Sequence, residues 1–203
     1  MSAPYAVIIA GGQGQRLGGV RKRDIRIGGI TLIERVRQAL GAVAEPLLVA
    51  TGPGEAVRLD DGMLAVADLD GPLGGPLAGL AAAVDALQRR GVDNGVLVSV
   101  AVDTPFLPPG FAGTMAAAVG DADAVYAAWG EDFYPPNAAW RLGALSALPG
   151  QVRDGTAPGS LKALHGQLKG GRLDWSAGHE RDPFANLNTL ADLIELQRRA
   201  RGL

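Results

Sequence analysis

An apolar run that ends in a glycine-rich loop, residues 5–22, constrains the fold of this chain more than any other stretch. Its first six residues, 5–10, are apolar and β-branched in the middle, which is typical of a buried parallel strand. The glycines that follow permit positive φ angles and let backbone N–H groups converge on an anion. They are Gly11, Gly12, Gly14, Gly18 and Gly19. Because Arg16 and Lys22 add positive charge and the segment holds no acid, we expect a loop that binds polyphosphate.

This loop does not match the two commonest phosphate-binding motifs. A P-loop requires Ser or Thr after its lysine, and Lys22 is followed by Arg23. A dinucleotide fingerprint would place its third glycine where Leu17 stands, and no acid ends the next predicted strand near Thr51. A glycine-rich turn without a ligand is the alternative reading of the loop taken alone.

Composition excludes several classes of protein. A chain of 203 residues can form one domain, and a formal charge of -2 argues against a general nucleic-acid binder. The absence of cysteine excludes disulfides, thiolate chemistry and Cys-ligated zinc, and it fits a reducing compartment. Residues 1–4 carry no basic segment, and the apolar run after them is too short for a signal or a membrane span. We expect a cytoplasmic protein that binds neither nucleic acid nor membrane.

Apolar runs of strand length alternate with segments of helical periodicity in the first half of the chain. Strands are predicted at 5–10, 46–51, 63–67 and 95–102, and helices at 32–43 and 76–90. Thr31 and Glu34 have the spacing of a capping box for the first helix. Run 95–102 is the most continuous, so we place it at the centre of the sheet. The pattern predicts an α/β fold with a mostly parallel sheet and helices on its faces.

The second half of the chain gives weaker signals. Strands are predicted at 124–128, 137–142 and 172–176, the last at a sheet edge, and helices at 111–119, 144–148 and 160–168. Residues 129–136 and 151–159 read as loops. A final helix, capped at Asn188-Thr189, is expected to run to about Arg199. Its predicted buried face comprises Leu190, Leu193, Ile194 and Gln197.

Two acidic residues follow predicted strands, as the glycine-rich loop does. In an open α/β sheet, ligands bind outside the carboxyl ends of the strands, so Asp68 and Asp103 are expected to share one crevice with the loop. Phosphoryl or nucleotidyl transfer suits this set: Arg16 and Lys22 would hold phosphates, and Asp103 would hold Mg²⁺ together with substrate oxygens. Asp70 could serve in place of Asp68, and either acid, like Asp103, could instead cap a turn.

The two histidines have no partner spacing that indicates catalysis. His165 and His179 are therefore expected to fill the core or the surface. A Ser-His-Asp arrangement has no nucleophile elbow to support it.

Four motifs together are specific enough to indicate a family. They are Ala10-Gly11-Gly12 with Arg16, Gly18-Gly19 and Lys22; Asp68 with Gly-Pro-Leu-Ala-Gly at 75–79; Asp-Thr-Pro-Phe-Leu-Pro at 103–108; and Phe-Ala-Asn-Leu-Asn-Thr at 184–189. Over nearly its whole length the chain resembles the molybdenum cofactor guanylyltransferases, which join GMP from GTP to molybdopterin. The resemblance implies a single-domain, three-layer Rossmann-like nucleotidyltransferase fold. Its nucleotide-binding half would be 1–110 and its acceptor-binding half 111–203.

The resemblance also implies roles for individual residues. Ile9, Ala10, Gly11, Gly12 and Asp68 would contact the guanine nucleotide; Arg16 and Lys22 its phosphates; Asp103 the Mg²⁺; and Asn186 and Asn188 the pterin. The terminal phosphate of molybdopterin would attack the α-phosphorus, so no protein nucleophile is required. Molybdoenzymes or their chaperones are the implied recipients of the product.

The chain departs from the family pattern at three places. Arg21 stands where an acid is usual, Ala50 or Thr51 replaces an asparagine, and Tyr134-Pro135 replaces His-Pro. Transfer of another nucleotide, or transfer to a sugar phosphate, is the alternative activity, although Ala10-Gly11-Gly12 favours GTP over CTP. A non-catalytic nucleotide-binding paralogue is the alternative from another class.

Overall fold

The apolar runs of the sequence form one mixed sheet with helices on both faces. The computed structural model describes residues 2–11, 13–14, 19–54, 59 and 62–202, with only the backbone at 13–14. Its strands are β1 (Tyr5–Ile9), β2 (Gln13–Gly14), β3 (Val20–Arg21), β4 (Arg26–Ile27), β5 (Ile30–Thr31), β6 (Leu47–Ala50), β7 (Met63–Val66), β8 (Val96–Ala101), β9 (Ala124–Trp129), β10 (Asp132–Arg141) and β11 (Gly170–Asp174). Its α-helices are α1 (Leu32–Leu40), α2 (Pro76–Gln88), α3 (Phe111–Ala118), α4 (Leu148–Asp154), α5 (Leu161–Gln167) and α6 (Leu190–Ala200).

The main sheet confirms the predicted α/β class. Within the described residues it has seven strands in the order β11-β9-β10-β8-β1-β6-β7. Strand β1 pairs in parallel with β6 and with β8. The pairs β6–β7 and β9–β11 are also parallel. Strand β10 is antiparallel to both of its neighbours, β8 and β9. As predicted, β8 is central and β11 lies at an edge. Separate two-stranded hairpins, β2–β3 and β4–β5, follow β1 in the chain.

Side-chain alternation along the central strands produces three layers. In β1, Ala6 and Ile8 pack into one buried cluster with residues of α1, α3 and α6, whereas Val7 and Ile9 face a second cluster formed with α2, α4 and α5. The same side chains are no more than 7% exposed. Helices cover both faces of the sheet at β1, so every side chain of this strand except that of Tyr5 is buried. This explains why its sequence is continuously apolar and does not alternate with polar residues. The expected three-layer, single-domain architecture is confirmed.

The chain reverses its direction of travel across the sheet beside β1. From β1 it passes through α1 to β6 and on to β7 at the edge, and α2 then returns it to β8 on the other side of β1. Such a switch point opens a crevice at the carboxyl ends of the two strands that flank it. The crevice therefore lies where β1 and β8 end.

The prediction of a loop at 129–136 is wrong, because most of these residues belong to β10. Its prolines argued against a strand, since proline cannot donate to a sheet ladder. The structure resolves this conflict with an irregularity between Tyr134 and Ala138, where the pairing with β9 shifts register. The hydroxyl of Ser99 donates to the carbonyl of Pro136 at 2.8 Å, so a side chain of β8 replaces a missing ladder bond.

Three other predictions need correction. Thr31 accepts from the N–H of Glu34, but the Glu34 carboxylate bonds Arg37 and Gln38, so only half of the predicted capping box forms at α1. Part of the loop predicted at 151–159 is the end of α4. Helix α6 buries Leu196, whereas Leu190 and Ile194 are 63% and 50% exposed. No helix in the described chain is long and apolar enough to span a bilayer.

Candidate active site

A cavity of about 270 Å³ opens at the switch point. One wall is formed by the ends of β1 and β8, through Ile9, Gly11 and residues 101–103. The adjoining strand β10 contributes Tyr134, Pro136 and Asn137 to the lining, and Asn186 comes from the segment before α6. Lys22 and Pro76 complete the lining. Residues from 1–110 and from 111–203 thus line one space.

Backbone bonds beyond the end of β8 fix the position of Asp103. The N–H of Val102 donates to the carbonyl of Ile9 at 3.1 Å, which extends the β1–β8 ladder by one step. The buried Thr104 hydroxyl then donates to the carbonyl of Ala101 at 2.7 Å, closing a tight turn. Because residues on both sides of Asp103 are held in this way, its side chain is directed into the cavity that it lines.

Lys22 forms an ion pair with Asp103. Its Nζ lies 2.7 Å from Asp103 Oδ2, and the two side chains are 20% and 18% exposed. The same Nζ donates to Asn188 Oδ1 at 2.8 Å. A 3₁₀ turn at Lys22–Asp24 directs the lysine from the hairpin side of the crevice. A cation and a carboxylate in contact at a cavity mouth are the groups expected to meet phosphate and a metal ion.

Close contacts beside β6 adjoin the part of the cavity that Gly11 lines. A Cβ at Gly11 would lie 2.9 Å from Gly52 Cα, so the loops after β1 and β6 touch. A Cβ at Gly79, in the first turn of α2, would lie 2.9 Å from the Cβ of Ala50 and 3.6 Å from Asp68 Oδ1. Both glycines are therefore required by close approach.

Asp68 lies next to these glycines and has an unusual environment. Its backbone N–H donates to the carbonyl of Gly52 at 3.1 Å, which places it beside the loop after β6. Burial raises the pKa of its carboxyl group. No donor among the described residues bonds that carboxylate, so its acceptor oxygens remain open to a ligand that carries N–H groups.

The wall formed by β10 is fixed through Asp182. The Tyr134 hydroxyl donates to Asp182 Oδ2 at 2.6 Å, and the N–H of Phe184 donates to Oδ1 at 2.7 Å. The rings of Tyr134 and Phe184 are 5.0 Å apart. Burial, and then the hydrogen bond and negative charge of Asp182, raise the pKa of Tyr134. The phenol therefore stays protonated and acts as a donor.

The structure brings together most of the predicted site residues that it describes. Five of them, Ile9, Gly11, Lys22, Asp103 and Asn186, line the cavity, and Asn188 contacts Lys22. Ala10 is 9% exposed and bonds through its N–H to the carbonyl of Ala50. Asp68 does not line this cavity; it lies close to Gly79, where a Cβ would be 3.6 Å from Asp68 Oδ1 and 3.7 Å from Ile9 Cγ2. Gly12 and Arg16 lie outside the described residues.

Neither histidine belongs to the cavity. The ring of His165 lies in the core, stacked on Trp140 at 4.2 Å, and His179 packs near Trp175. Within the described ranges, no group of three or more acidic or histidine side chains is placed to hold a metal. An ion at Asp103 would therefore depend on water and on substrate oxygens for its other ligands, as Mg²⁺ commonly does.

Comparison with known proteins identifies the family. A family model described as MobA-like NTP transferase domain matches residues 6–168. The molybdenum cofactor guanylyltransferase of Rhodobacter capsulatus is 34% identical over 196 residues, which cover 96% of this chain and 95% of that relative. The relative with the same name from Acidiphilium cryptum is 36% identical over 192 residues, or 93% and 91% of the two chains. The chain belongs to the molybdenum cofactor guanylyltransferase family.

Solved structures agree with this family at the level of the fold. The molybdopterin-guanine dinucleotide biosynthesis protein A of Archaeoglobus fulgidus aligns with a TM-score of 0.70 at 20% identity, covering 98% of this chain and 100% of that one. The 2-C-methyl-D-erythritol 4-phosphate cytidylyltransferase of Thermus thermophilus aligns with a TM-score of 0.67 at 20% identity, covering 99% and 100% of the two chains. Identities this low show a shared nucleotidyltransferase fold and nothing finer.

Sequence reasoning missed several residues that shape the guanylyltransferase cavity. Asn137 is 1% exposed, lines the cavity and accepts from the N–H of Ala101 at 2.8 Å. Asp182 fixes Tyr134, and Asp192 bonds the backbone of Asn188 at 2.9 Å. Asn137 and Asp182 carry no local signal of a site, because their partners lie 36 and 48 residues away. Asp192 has the local pattern of a helix cap, which does not by itself indicate a site.

Proposed function

We propose that the chain transfers GMP from GTP to molybdopterin and releases pyrophosphate. The observation that carries the proposal is the Lys22–Asp103 pair, 2.7 Å apart, at the switch point of a sheet in a member of this family. The names of the relatives supply the substrates. The cavity supports the reaction type, because it places a cation, a carboxylate and loop backbone at the carboxyl ends of β1 and β8.

Each cluster of residues would have a distinct role. Asp68, whose carboxylate has no donor within the described chain, would accept from the N1–H and exocyclic amine of guanine. Residues 9–12 would place the nucleotide on the carboxyl end of β1. Lys22, with Arg16 as proposed from the sequence, would bind the triphosphate and stabilise the negative charge that develops as the α–β bond breaks.

Asp103 is the proposed Mg²⁺ ligand. Its carboxylate lies at the cavity wall, and one carboxylate with several substrate oxygens is a donor set that suits this ion. When bound, Mg²⁺ would neutralise phosphate charge and align the α-phosphorus. A phosphate oxygen of the acceptor would then form a bond to that phosphorus while the bond to pyrophosphate breaks. No covalent protein intermediate is required.

The acceptor would lie against the wall formed by Tyr134, Pro136, Asn137 and Asn186. Aromatic and amide groups suit a flat, hydrogen-bonding ring such as a pterin. A role for molybdoenzymes or their chaperones as recipients, and a cytoplasmic location consistent with the absence of cysteine, belong to the same proposal.

Pyrophosphate release tests the proposal directly. The protein is incubated with molybdopterin, Mg²⁺ and each nucleoside triphosphate in turn. GTP should support release, EDTA should abolish it, and Asp103→Ala should lower the rate by about a hundredfold to a thousandfold. Release with CTP in place of GTP would overturn the choice of base. Nucleotide binding without turnover would identify the non-catalytic alternative.

A further inference from the structure

Lys22 has two oxygen partners that would respond differently to a bound nucleotide. Its Nζ donates to Asp103 Oδ2 at 2.7 Å and to Asn188 Oδ1 at 2.8 Å. Asp103 is the proposed metal ligand, so once a metal-bound nucleotide enters, the metal ion and Lys22 would compete for its carboxylate. The amide of Asn188 is neutral, and its oxygen attracts a metal ion less strongly than a carboxylate does. It can therefore hold the ammonium group while that group turns to a phosphate.

We propose that Asn188, held in place by Asp192, is a positioning residue for Lys22 and does not itself bind the acceptor. This inference rests on the function proposed above. It reassigns one of the two asparagines for which the family resemblance implies pterin contact, and it leaves Asn186 in that role.

The backbone around Asn188 is held by a capping box. Asp192 Oδ2 accepts from the N–H of Asn188 at 2.9 Å and from the N–H of Thr189 at 2.8 Å, and Thr189 Oγ1 accepts from the N–H of Asp192 at 3.2 Å. Partial burial raises the pKa of Asp192, but these hydrogen bonds and the charge of Lys22 outweigh it and lower the pKa overall. An ionised Asp192 thus fixes the residue that holds Lys22.

The two asparagines face different surroundings. Asn186 lines the cavity beside Tyr134 and Asn137, whereas the side-chain contact of Asn188 is with Lys22. Between them, the N–H of Leu187 donates to the carbonyl of Asp103 at 2.9 Å, and the Leu187 side chain is fully buried. Leu187 therefore anchors the segment, and the two asparagines on either side of it can serve different partners.

Nucleotide binding without acceptor separates the two roles. Calorimetric titration with GTP and Mg²⁺ should show about tenfold weaker binding for Asn188→Ala, because Lys22 loses its neutral partner. Asn186→Ala is the matched control and should bind GTP within about twofold of wild type while raising KM for molybdopterin. If Asn188→Ala binds GTP normally and raises KM for molybdopterin, Asn188 contacts the acceptor and the proposal is wrong.

The reactivity of the Lys22 amine gives a readout that needs neither substrate. The chain has three lysines, so limited acetylation followed by mass spectrometry resolves Lys22 from Lys162 and Lys169. Lys22 should be acetylated several times faster in Asn188→Ala, relative to the other two lysines, because hydrogen bonding restrains the amine. An unchanged rate would show that Asn188 does not hold Lys22, whether or not the protein is a guanylyltransferase.

Asp192 variants test the supporting contact. Asp192→Ala should reproduce both effects of Asn188→Ala, and Asp192→Asn, which keeps an acceptor oxygen, should restore part of the GTP affinity. A wild-type protein that neither binds GTP nor releases pyrophosphate would refute the proposed function alone, since the acetylation rates still report on Lys22. Equal GTP affinity and equal Lys22 reactivity in Asp192→Ala and wild type would refute the role of Asp192.

Discussion

The side-chain oxygen of Asn137 accepts a hydrogen bond from the backbone N–H of Ala101 at 2.8 Å. Ala101 is the last residue of β8, and its ladder partner on β10 would stand where two prolines interrupt the pairing. Asn137 thus completes the central strand two residues before Asp103. The placement of the proposed metal ligand therefore depends on a side chain from the neighbouring strand β10.

We expect Asn137→Ala to destabilise the protein by about 1–3 kcal/mol, because the N–H of Ala101 loses its partner in a largely buried position. The pyrophosphate release rate should also fall, since the turn that carries Asp103 loosens. Urea denaturation measures the first effect. Asn94→Ala, at an exposed position just before β8, is the control and should change stability by less than about 0.5 kcal/mol. Equal stability of the two variants would contradict this account.

Gly79 permits α2 to approach β6, and alanine should not be tolerated there. The new Cβ would lie 2.9 Å from the Cβ of Ala50 and near the Asp68 carboxylate, so the helix must move away. We expect a loss of about 1–3 kcal/mol from overpacking, with weaker GTP binding because Asp68 is displaced. Thermal unfolding and GTP titration measure both.

The control for this substitution is Gly113→Ala in α3. A Cβ at Gly113 would meet no atom within 4 Å beyond its chain neighbours and the backbone of its own helix, and the position is exposed. Alanine should stabilise this helix by up to about 1 kcal/mol because it restricts the unfolded chain. If Gly79→Ala behaved in the same way, the close contact with β6 would have no energetic importance.

Residues with local signals were predictable from the sequence, and residues with distant partners were not. Asp103 follows the most apolar strand directly, and Lys22 ends a glycine-rich loop, so strand order alone brings them to one edge. The role of Asn137 depends on Ala101, 36 residues away. The two prolines before Asn137 predicted a loop, because proline cannot donate a backbone hydrogen bond to a sheet. In the structure, side-chain hydrogen bonds from Ser99 and Asn137 replace the missing backbone bonds, and no sequence pattern indicates such a replacement.

Helix α6 shows a second reason for failure. Leu190 and Ile194 are spaced as a buried stripe, but so are Leu193, Leu196 and Ala200. Periodicity cannot choose between two overlapping stripes. The structure chooses the second, since Leu196 is 3% exposed and packs in the core. Gln197 instead bonds the backbone of Arg26 and Gly28 in the β4–β5 hairpin.

Tyr134→Phe should weaken acceptor binding while leaving GTP binding unchanged. The variant keeps the ring against Phe184 but loses the 2.6 Å bond to Asp182 that fixes the ring at the cavity wall. We expect KM for molybdopterin to rise several-fold and stability to fall by about 1 kcal/mol. Steady-state kinetics with each substrate varied in turn will separate the two sites.

Tyr126→Phe is the matched control for this substitution. The Tyr126 ring packs against Phe133 and His165 and does not line the cavity, so both KM values should stay at their wild-type levels. A rise in KM for GTP in Tyr134→Phe would place the tyrosine on the nucleotide side of the cavity.

His165 should make the protein less stable in mild acid. Burial lowers its pKa to about 4, partly opposed by the backbone of Pro135, and neither ring nitrogen has a partner at normal hydrogen-bond geometry among the described residues. The unfolded histidine titrates near its ordinary pKa of 6.5. Between these two values the unfolded state binds the extra proton, so the free energy of unfolding decreases as pH falls. The contribution is fully present above pH 6.5 and is lost by about pH 4.

Replacing the histidine isolates this contribution. Between pH 7 and pH 5 the titration of His165 should lower the free energy of unfolding by about 2 kcal/mol. The titrations of Asp and Glu residues should change it by the same amount in wild type and variant. His165→Phe keeps a ring against Trp140 and removes the titrating group, so its stability should fall less over that interval. Urea denaturation at a series of pH values measures the difference in slope. Parallel pH profiles for wild type and variant would mean that His165 binds a proton equally well in the folded and unfolded states. That result would contradict the prediction.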